Sequence, residues 1–300
     1  MALTDDVRAA CARIAGEATW VRIDCERLES YDGGAAQIEP PTLDPERHYL
    51  EGPEDEVTTY LLTLDAINFG SGWFPTLTKR LDPKTGSSVS GYFTVAWNLA
   101  DRFRAQGPWT NAELRSMRTE ELAGVLGQPA DHELMSLYAQ ALRDLGRFLG
   151  DSPAIDVVRY AGGSARRLAA MLAAGMALFD DRGFYKRAQI APNDLQLAGV
   201  ATFDDLDELT IFADNLVPHV LRCDGVLVYR RELAERIDAG ELLPTGAAER
   251  EIRGCALHAC ELLSQRLGVP ARVLDMWLWN RGQLPEMKAI PRHRCRTVYY

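Results

Sequence analysis

The chain has 300 residues, 47% hydrophobic and 25% charged, with 33 basic against 43 acidic side chains and a formal net charge of −10. That length supports one sizeable core or two smaller ones, and the acidic balance argues against non-specific binding of a phosphate backbone. No apolar run approaches the roughly 20 residues of a membrane helix, and the N-terminus lacks the apolar core of a signal peptide, so a cytoplasmic protein is expected.

In chain order, Thr4 or Asp5 stands in reach of capping a first helix that runs through Val7. Residues 33 to 55 are rich in Pro and Gly and read as loop, with His48 exposed in it. EVTTYLLTLDAINFG, from Glu56, is a buried element of either type. KRLDPKTGSSVSGYFTV reads as a turn with short strands, which places a small β element near residues 60–95. From Val95 onward helical spacing dominates. Leu134, Leu137, Tyr138, Ala141, Leu142, Leu145 and Phe148 mark one helix face that ends at Gly150. SARRLAAMLAAGMALFD and AEREIRGCALHACELLSQRLG read the same way, and the whole of 1–300 is expected to form a single, mainly α domain. The six cysteines, Cys11, Cys25, Cys223, Cys255, Cys260 and Cys295, form no CxxC pair and read as reduced thiols. Cys255, His258 and Cys260 lie close together, but on a helix Cys260 points away from Cys255, so packing is expected there rather than zinc.

Two acids stand out. TFDDLDELTIFADNLVPHVLR opens with Thr202 and Asp205 in capping-box spacing, and Leu206, Leu209, Ala213, Leu216, Val217 and Val220 mark a helical face. Asp214 lies at its edge, four residues before Pro218. Proline has no N–H, so the helix must kink or stop there. Asp214 then either meets a ligand or caps the helix beyond the break. In ARVLDMWLWNRG, Pro270 starts and Gly282 ends a helix of about three turns, apolar nearly all round and therefore buried. Asp275 inside it is either held by a neighbouring backbone or part of a functional site, where buried carboxylates cluster. Lys186 and Arg187 in GFYKRAQI form a surface pair or an anion grip. Arg292, His293, Arg294 and Arg296 concentrate base at the C-terminus. Phe69, Trp73 and Phe74 are core or a stacking wall.

From about His48 to Tyr300 these segments resemble the queuosine salvage protein family, the queuosine 5′-phosphate N-glycosylases. The resemblance rests on Asn68-Phe69 with Trp73-Phe74-Pro75, on FYKRAQI, LTIFADNLVP and LDMWLW, and on the ending MKAIPRHRCRTVYY. The chain departs from the family at Asn215 and Leu216, where Tyr-Arg is usual, at His219, and in the GSG before WFP. The resemblance implies hydrolysis of the N-glycosidic bond of queuosine 5′-monophosphate to queuine and ribose 5-phosphate. It also implies a mainly helical fold similar to helix-hairpin-helix DNA glycosylases, with Gly199 as the hairpin turn. It assigns Asp275 to the sugar and Asp214, with Phe212 stacking, to the base; the two acid roles are exchangeable. Lys186, with Tyr300 or the terminal arginines, would meet the 5′-phosphate. His48 would meet the base or its cyclopentene-diol arm, and Phe69 and Trp73 the flat ring. No metal or organic cofactor is implied, and the partner is a small nucleotide, with no nucleic acid, membrane or obligate protein partner. Two other classes compete. A DNA-repair glycosylase wants a basic face, and a non-catalytic nucleotide-binding module needs Lys186 and aromatics but not two buried acids.

Overall fold

The computed structural model describes residues 2–32 and 41–300. Helix α1 (Leu3–Glu17) is capped by Asp5, whose carboxylate accepts the Ala2 N–H at 3.2 Å; Thr4 is buried in the first turn and does not cap. Strand β1 (Val21–Ile23) and α2 (Cys25–Ser30) follow. Of the expected loop, residues 33–40 lie outside the described residues, and 41–53 carry no helix or strand. The ambiguous apolar element is a helix, α3 (Glu54–Ala66), buried from Val57 to Ala66. Thr58 and Thr59 hide their hydroxyls on the carbonyls four residues back, at 2.7 and 2.8 Å, which lets polar β-branched residues sit inside it.

The β element expected near 60–95 shrinks to one antiparallel bridge, Leu81 with Ser88, because Ser90 already caps α4 (Gly91–Gln106). Helices α5 (Asn111–Arg115), α6 (Thr119–Leu126), α7 (Glu133–Leu149), α8 (Ala154–Arg159) and α9 (Ala165–Gly175) come next. The predicted face of α7 is the buried one, and Gly150 closes it with φ 60°. Helix α10 (Lys186–Leu197) runs through Pro192.

The segment 202–222 departs most from expectation. Its capping acid, Asp205, turns to another helix and accepts from Ser164 Oγ and the Ala165 N–H at the start of α9, at 2.7 and 2.6 Å. Only a 3-10 turn forms at Leu206–Glu208, and chain without helix or strand leads to α11 (Val217–Cys223). Pro218 therefore sits in a helix's first turn, where its missing N–H costs nothing.

Strand β2 (Leu227–Tyr229) pairs antiparallel with β1, and after α12 (Arg231–Asp238) strand β3 (Leu242–Leu243) pairs parallel with a later β4 (Arg294–Cys295). Between β3 and β4 lie α13 (Ala247–Leu267), α14 (Ala271–Gly282) and α15 (Pro285–Lys288). Helix α14 is buried along one stripe, Ala271, Leu274, Asp275, Leu278 and Gly282, rather than all round. The helix ends at Gly282 as expected, and the glycine also leaves space: a Cβ would stand 2.6 Å from Leu216.

Two apolar cores result. One joins α3, α4, α6, α7, α9 and α10; the other joins α1, β1, β2, α11, α13 and α14. Leu3 and Tyr185 pack against both. The molecule is mainly helical, and no helix among the described residues is long and apolar enough to cross a membrane.

Candidate active site

A cavity of about 930 Å³ draws its walls from both cores. Helix α10 contributes Lys186, Ile190, Asn193 and Asp194. Their spacing of four, three and one residues puts them on one face of the helix. Helix α14 contributes Asp275, Met276, Trp279 and Asn280. The chain before α11 contributes Phe212, Asp214, Asn215 and Leu216.

Asp275 is 6% exposed and accepts the Phe212 N–H at 2.8 Å. Burial, then the nearby charge of Asp214, pushes its carboxyl up to about 8. Asp214 Oδ1 accepts the Leu216 and Val217 N–H groups at 2.7 and 3.2 Å. It holds the first N–H groups of α11 and also lines the cavity. Lys186, 6% exposed, donates from Nζ to the Asn68 carbonyl at 3.1 Å. Burial lowers its pKa, and Asp214, Asp65 and Asp275 act in the opposite sense.

His48 is not exposed: it is 2% accessible and lines the cavity. Burial holds it below its ordinary pKa. Its Nδ1–H donates to the Asp44 carbonyl at 2.8 Å, which leaves Nε2 to accept the Tyr92 hydroxyl at 2.9 Å. Tyr300 closes another side, its carbonyl accepting the Gly70 N–H at 2.9 Å.

Of the expected contacts, Trp73 and Arg187 fall elsewhere. Trp73 is outside the cavity wall and donates from Nε1 to Glu133 at 2.7 Å; Phe74 takes the wall position. Phe69 reaches the cavity but is 1% exposed, held edge-on against Tyr138 at 4.9 Å and under the Arg187 guanidinium at 4.6 Å. Arg187 is no anion grip. Its fork donates to the carbonyls of Ala66, Leu178 and Val298, so it staples α10 to α3 and the C-terminal segment. Of the terminal basic cluster, Arg292 and Arg294 reach the wall, His293 is buried, and Arg296 pairs with Glu133 at 3.3 Å.

Several wall groups are not singled out by the sequence. Tyr92, Phe93 and Trp279 form an aromatic corner, with Trp279 at 5.8 Å from each of the others. Lys79 and Lys288 stand on the wall beside Arg292, and burial with Arg292's charge lowers Lys79 to about 8. Asp194 lines the cavity and is pushed up to about 7 by burial. Asp65, fully buried on α3, has neither carboxylate oxygen hydrogen-bonded among the described residues. The signal for Asp194 was its place eight residues after Lys186, obscured by Pro192 between them.

The arrangement joins carboxylates in a low-dielectric cleft, one buried ammonium beside them, an aromatic corner and a basic rim. That is equipment for binding an anionic, flat ligand and steadying a developing positive charge. The profile described as queuosine salvage protein matches residues 47–300. A Sphaerobacter thermophilus protein named queuosine 5′-phosphate N-glycosylase/hydrolase is 32% identical over 306 aligned positions, 95% of this chain and 94% of its own. Proteins of the same name from Mus musculus and Schizosaccharomyces pombe are 28% and 26% identical, over 83% and 99% of this chain and 83% and 96% of theirs. With the match spanning most of its length, the chain belongs to the queuosine salvage protein family.

Proposed function

We propose that this enzyme hydrolyses the N-glycosidic bond of queuosine 5′-phosphate and releases queuine and ribose 5-phosphate. The observation that carries this reading is the convergence of Asp214 and Asp275 on one cavity with Lys186 beside them.

Queuine is a 7-deazaguanine whose ring N–H and exocyclic amine lie side by side. The Asp214 carboxylate accepts from both, while Phe212 covers the ring face. Ionised Asp275 faces the sugar. As the bond at C1′ breaks, its electron pair leaves with the base and the sugar becomes oxocarbenium-like. A fixed carboxylate in a buried cleft stabilises that cation far more than it would in water. Water adds at C1′ and gives its proton to a carboxylate, the leaving base takes up one proton on the nitrogen that held the sugar, and neutral queuine and ribose 5-phosphate result. His48 with Tyr92 meets the base or its cyclopentene-diol arm. Lys186, with Tyr300 nearby, meets the phosphate, backed by Lys79, Lys288 and Arg292, which have no ion-pair partner among the described residues. The likeness to helix-hairpin-helix glycosylases comes from the family resemblance: Gly199, φ 75°, turns the chain after α10, but a 3-10 turn and coil rather than a helix lead from it to Asp214.

Incubation with queuosine 5′-phosphate, followed by chromatography and mass detection, should show queuine and ribose 5-phosphate in equal amounts. Nucleotide that stays intact with stoichiometric enzyme, although bound, would make the protein a binding module.

A further inference from the structure

Asp214 and Lys186 come from separate stretches of chain, and one side chain outside the cavity wall reaches both. Arg253, in the first half of α13, is 2% exposed. Its Nε–H donates to the Ala213 carbonyl at 2.9 Å, one residue before Asp214. Its Nη1 and Nη2 donate to the two carboxylate oxygens of Asp181 at 3.1 and 2.5 Å. Asp181 Oδ2 in turn accepts the Lys186 N–H at 3.4 Å, and the Asp181 carbonyl accepts the Tyr185 N–H at 2.7 Å. The rings of Phe184 and Tyr300 stand 3.9 and 4.6 Å from the guanidinium carbon, and Glu249 lies 3.6 Å away one turn earlier.

A buried arginine needs a carboxylate partner and further acceptors for its remaining donors, and these can come from any neighbouring segment. Here the additional contacts go to cavity segments: the peptide before Asp214, the start of the helix carrying Lys186, and Tyr300 itself. The start of α10 is also where the backbone is strained. Tyr185 is the one non-glycine residue with positive φ among the described residues, at 50°. A non-glycine residue in that region persists when its surroundings hold it there. The chain carrying Asp214 belongs to no helix or strand ladder. Besides the packing of Ile211, Phe212 and Ala213 into the cores, its hold on the rest comes from Thr210 N–H on Gln189 Oε1 at 3.0 Å, Phe212 N–H on Asp275, Ala213 carbonyl on Arg253, and Asn215 Nδ2 on the His293 carbonyl at 3.3 Å.

We propose that Arg253 is a positioning residue for the reaction: it fixes the Asp214 segment against the start of the Lys186 helix without touching substrate. This rests on the reading of the site given above. A lysine keeps the charge but has no planar fork, so it cannot hold Asp181 through both oxygens and the Ala213 carbonyl together. A misplacement of about 1 Å in a reacting constellation costs on the order of 100-fold in rate.

The test uses the full chain with queuosine 5′-phosphate: kcat, KM, Kd by calorimetry, and Tm for wild type, Arg253→Lys and Arg253→Ala. Arg253→Lys is expected to fold and to lose roughly 10- to 100-fold in kcat. Added guanidinium should restore turnover to Arg253→Ala, while sodium chloride at the same ionic strength should not. A lysine variant with reduced Tm but wild-type kcat and KM overturns the proposal, as does a folded alanine variant that guanidinium does not revive. Should Arg253→Ala not fold, Arg253→Lys decides. Should neither fold, Asp181→Asn, which loosens the fork from α10, decides by the same kcat. If the wild type binds the nucleotide but releases no queuine, the functional reading fails on its own. Arg253 is then judged by Kd, and an unchanged Kd in Arg253→Lys overturns its role.

Discussion

Asp275 holds its proton to about pH 8 because its carboxyl is buried and faces Asp214. If the ionised form steadies the sugar cation, kcat/KM must rise with pH through about 8 and level off above it. Asp214→Asn removes the second cause, so the residual activity should level off at lower pH. A rate that falls through pH 8 instead would make Asp275 the proton donor and exchange the two roles. The same shift acts on stability. Unfolded, the carboxyl ionises near 3.8; folded, near 8. Between these values the folded state holds the extra proton, so this residue's contribution to stability falls as pH rises across that window and is level beyond it. Asp275→Asn should therefore raise Tm more at the alkaline end of the window than at the acid end, while kcat drops by about 100- to 1,000-fold or more with queuine binding retained. Equal Tm gains at both ends would mean the wild-type carboxyl is not held neutral. At Lys186 the expected signature is different. Lys186→Ala should cost far more kcat/KM with the 5′-phosphate than with the nucleoside, since a charge-assisted contact is lost only where the phosphate exists. Equal losses would move the phosphate contact to Lys79, Lys288 and Arg292.

At the scale of elements, α14 and the chain before α11 are fitted to each other through Gly282 and Leu216. A Cβ at Gly282 meets Leu216 Cγ at 2.6 Å, so Gly282→Ala should destabilise by about 1–3 kcal/mol through overpacking. It should also raise KM, because Leu216 accompanies Asp214 in the wall. Gly16, inside α1, has nothing within 4 Å of an added Cβ. There the same substitution should stabilise by roughly 0.4–1 kcal/mol. Thermal or denaturant unfolding of both variants, with KM for the first, checks the contrast. Two losses of similar size would show that backbone conformation, not space, sets the cost. The periodicity of α7 was legible because one face meets a core and the other meets solvent. The helix expected through Leu206–Val220 failed although its spacing was as regular. Asp205 is spent on the start of α9, Gln189 Oε1 takes the Thr210 N–H at 3.0 Å, and Pro218 begins a helix of its own.

Across the whole molecule, the cavity lies between two cores and each supplies part of its wall. A ligand seated there binds the folded form alone, so queuine at 100 times its Kd should add about 2.7 kcal/mol to unfolding. Scanning calorimetry with queuine should show Tm rising with the logarithm of its concentration, and less so for Asp214→Asn. A Tm indifferent to queuine would place its site elsewhere. Composition and spacing by themselves determined the helical character, the helix bearing Asp275 and the conspicuous pair Asp214 and Asp275; the motifs added the family by resemblance. These are properties of one segment at a time. Periodicity reports which face is apolar, and a carboxylate among Leu, Met and Trp is visible without knowing its neighbours. The burial of His48 beneath Tyr92, the retirement of Arg187 to three backbone carbonyls, and the displacement of Trp73 by Phe74 were decided only by tertiary structure. So were the approach of Asp194 and the link from Arg253 to both charged walls. Each depends on which segments meet across the fold, often 40 or more residues apart in sequence, or on whether a carbonyl or a carboxylate waits within hydrogen-bond reach. Spacing within one element carries no information about either.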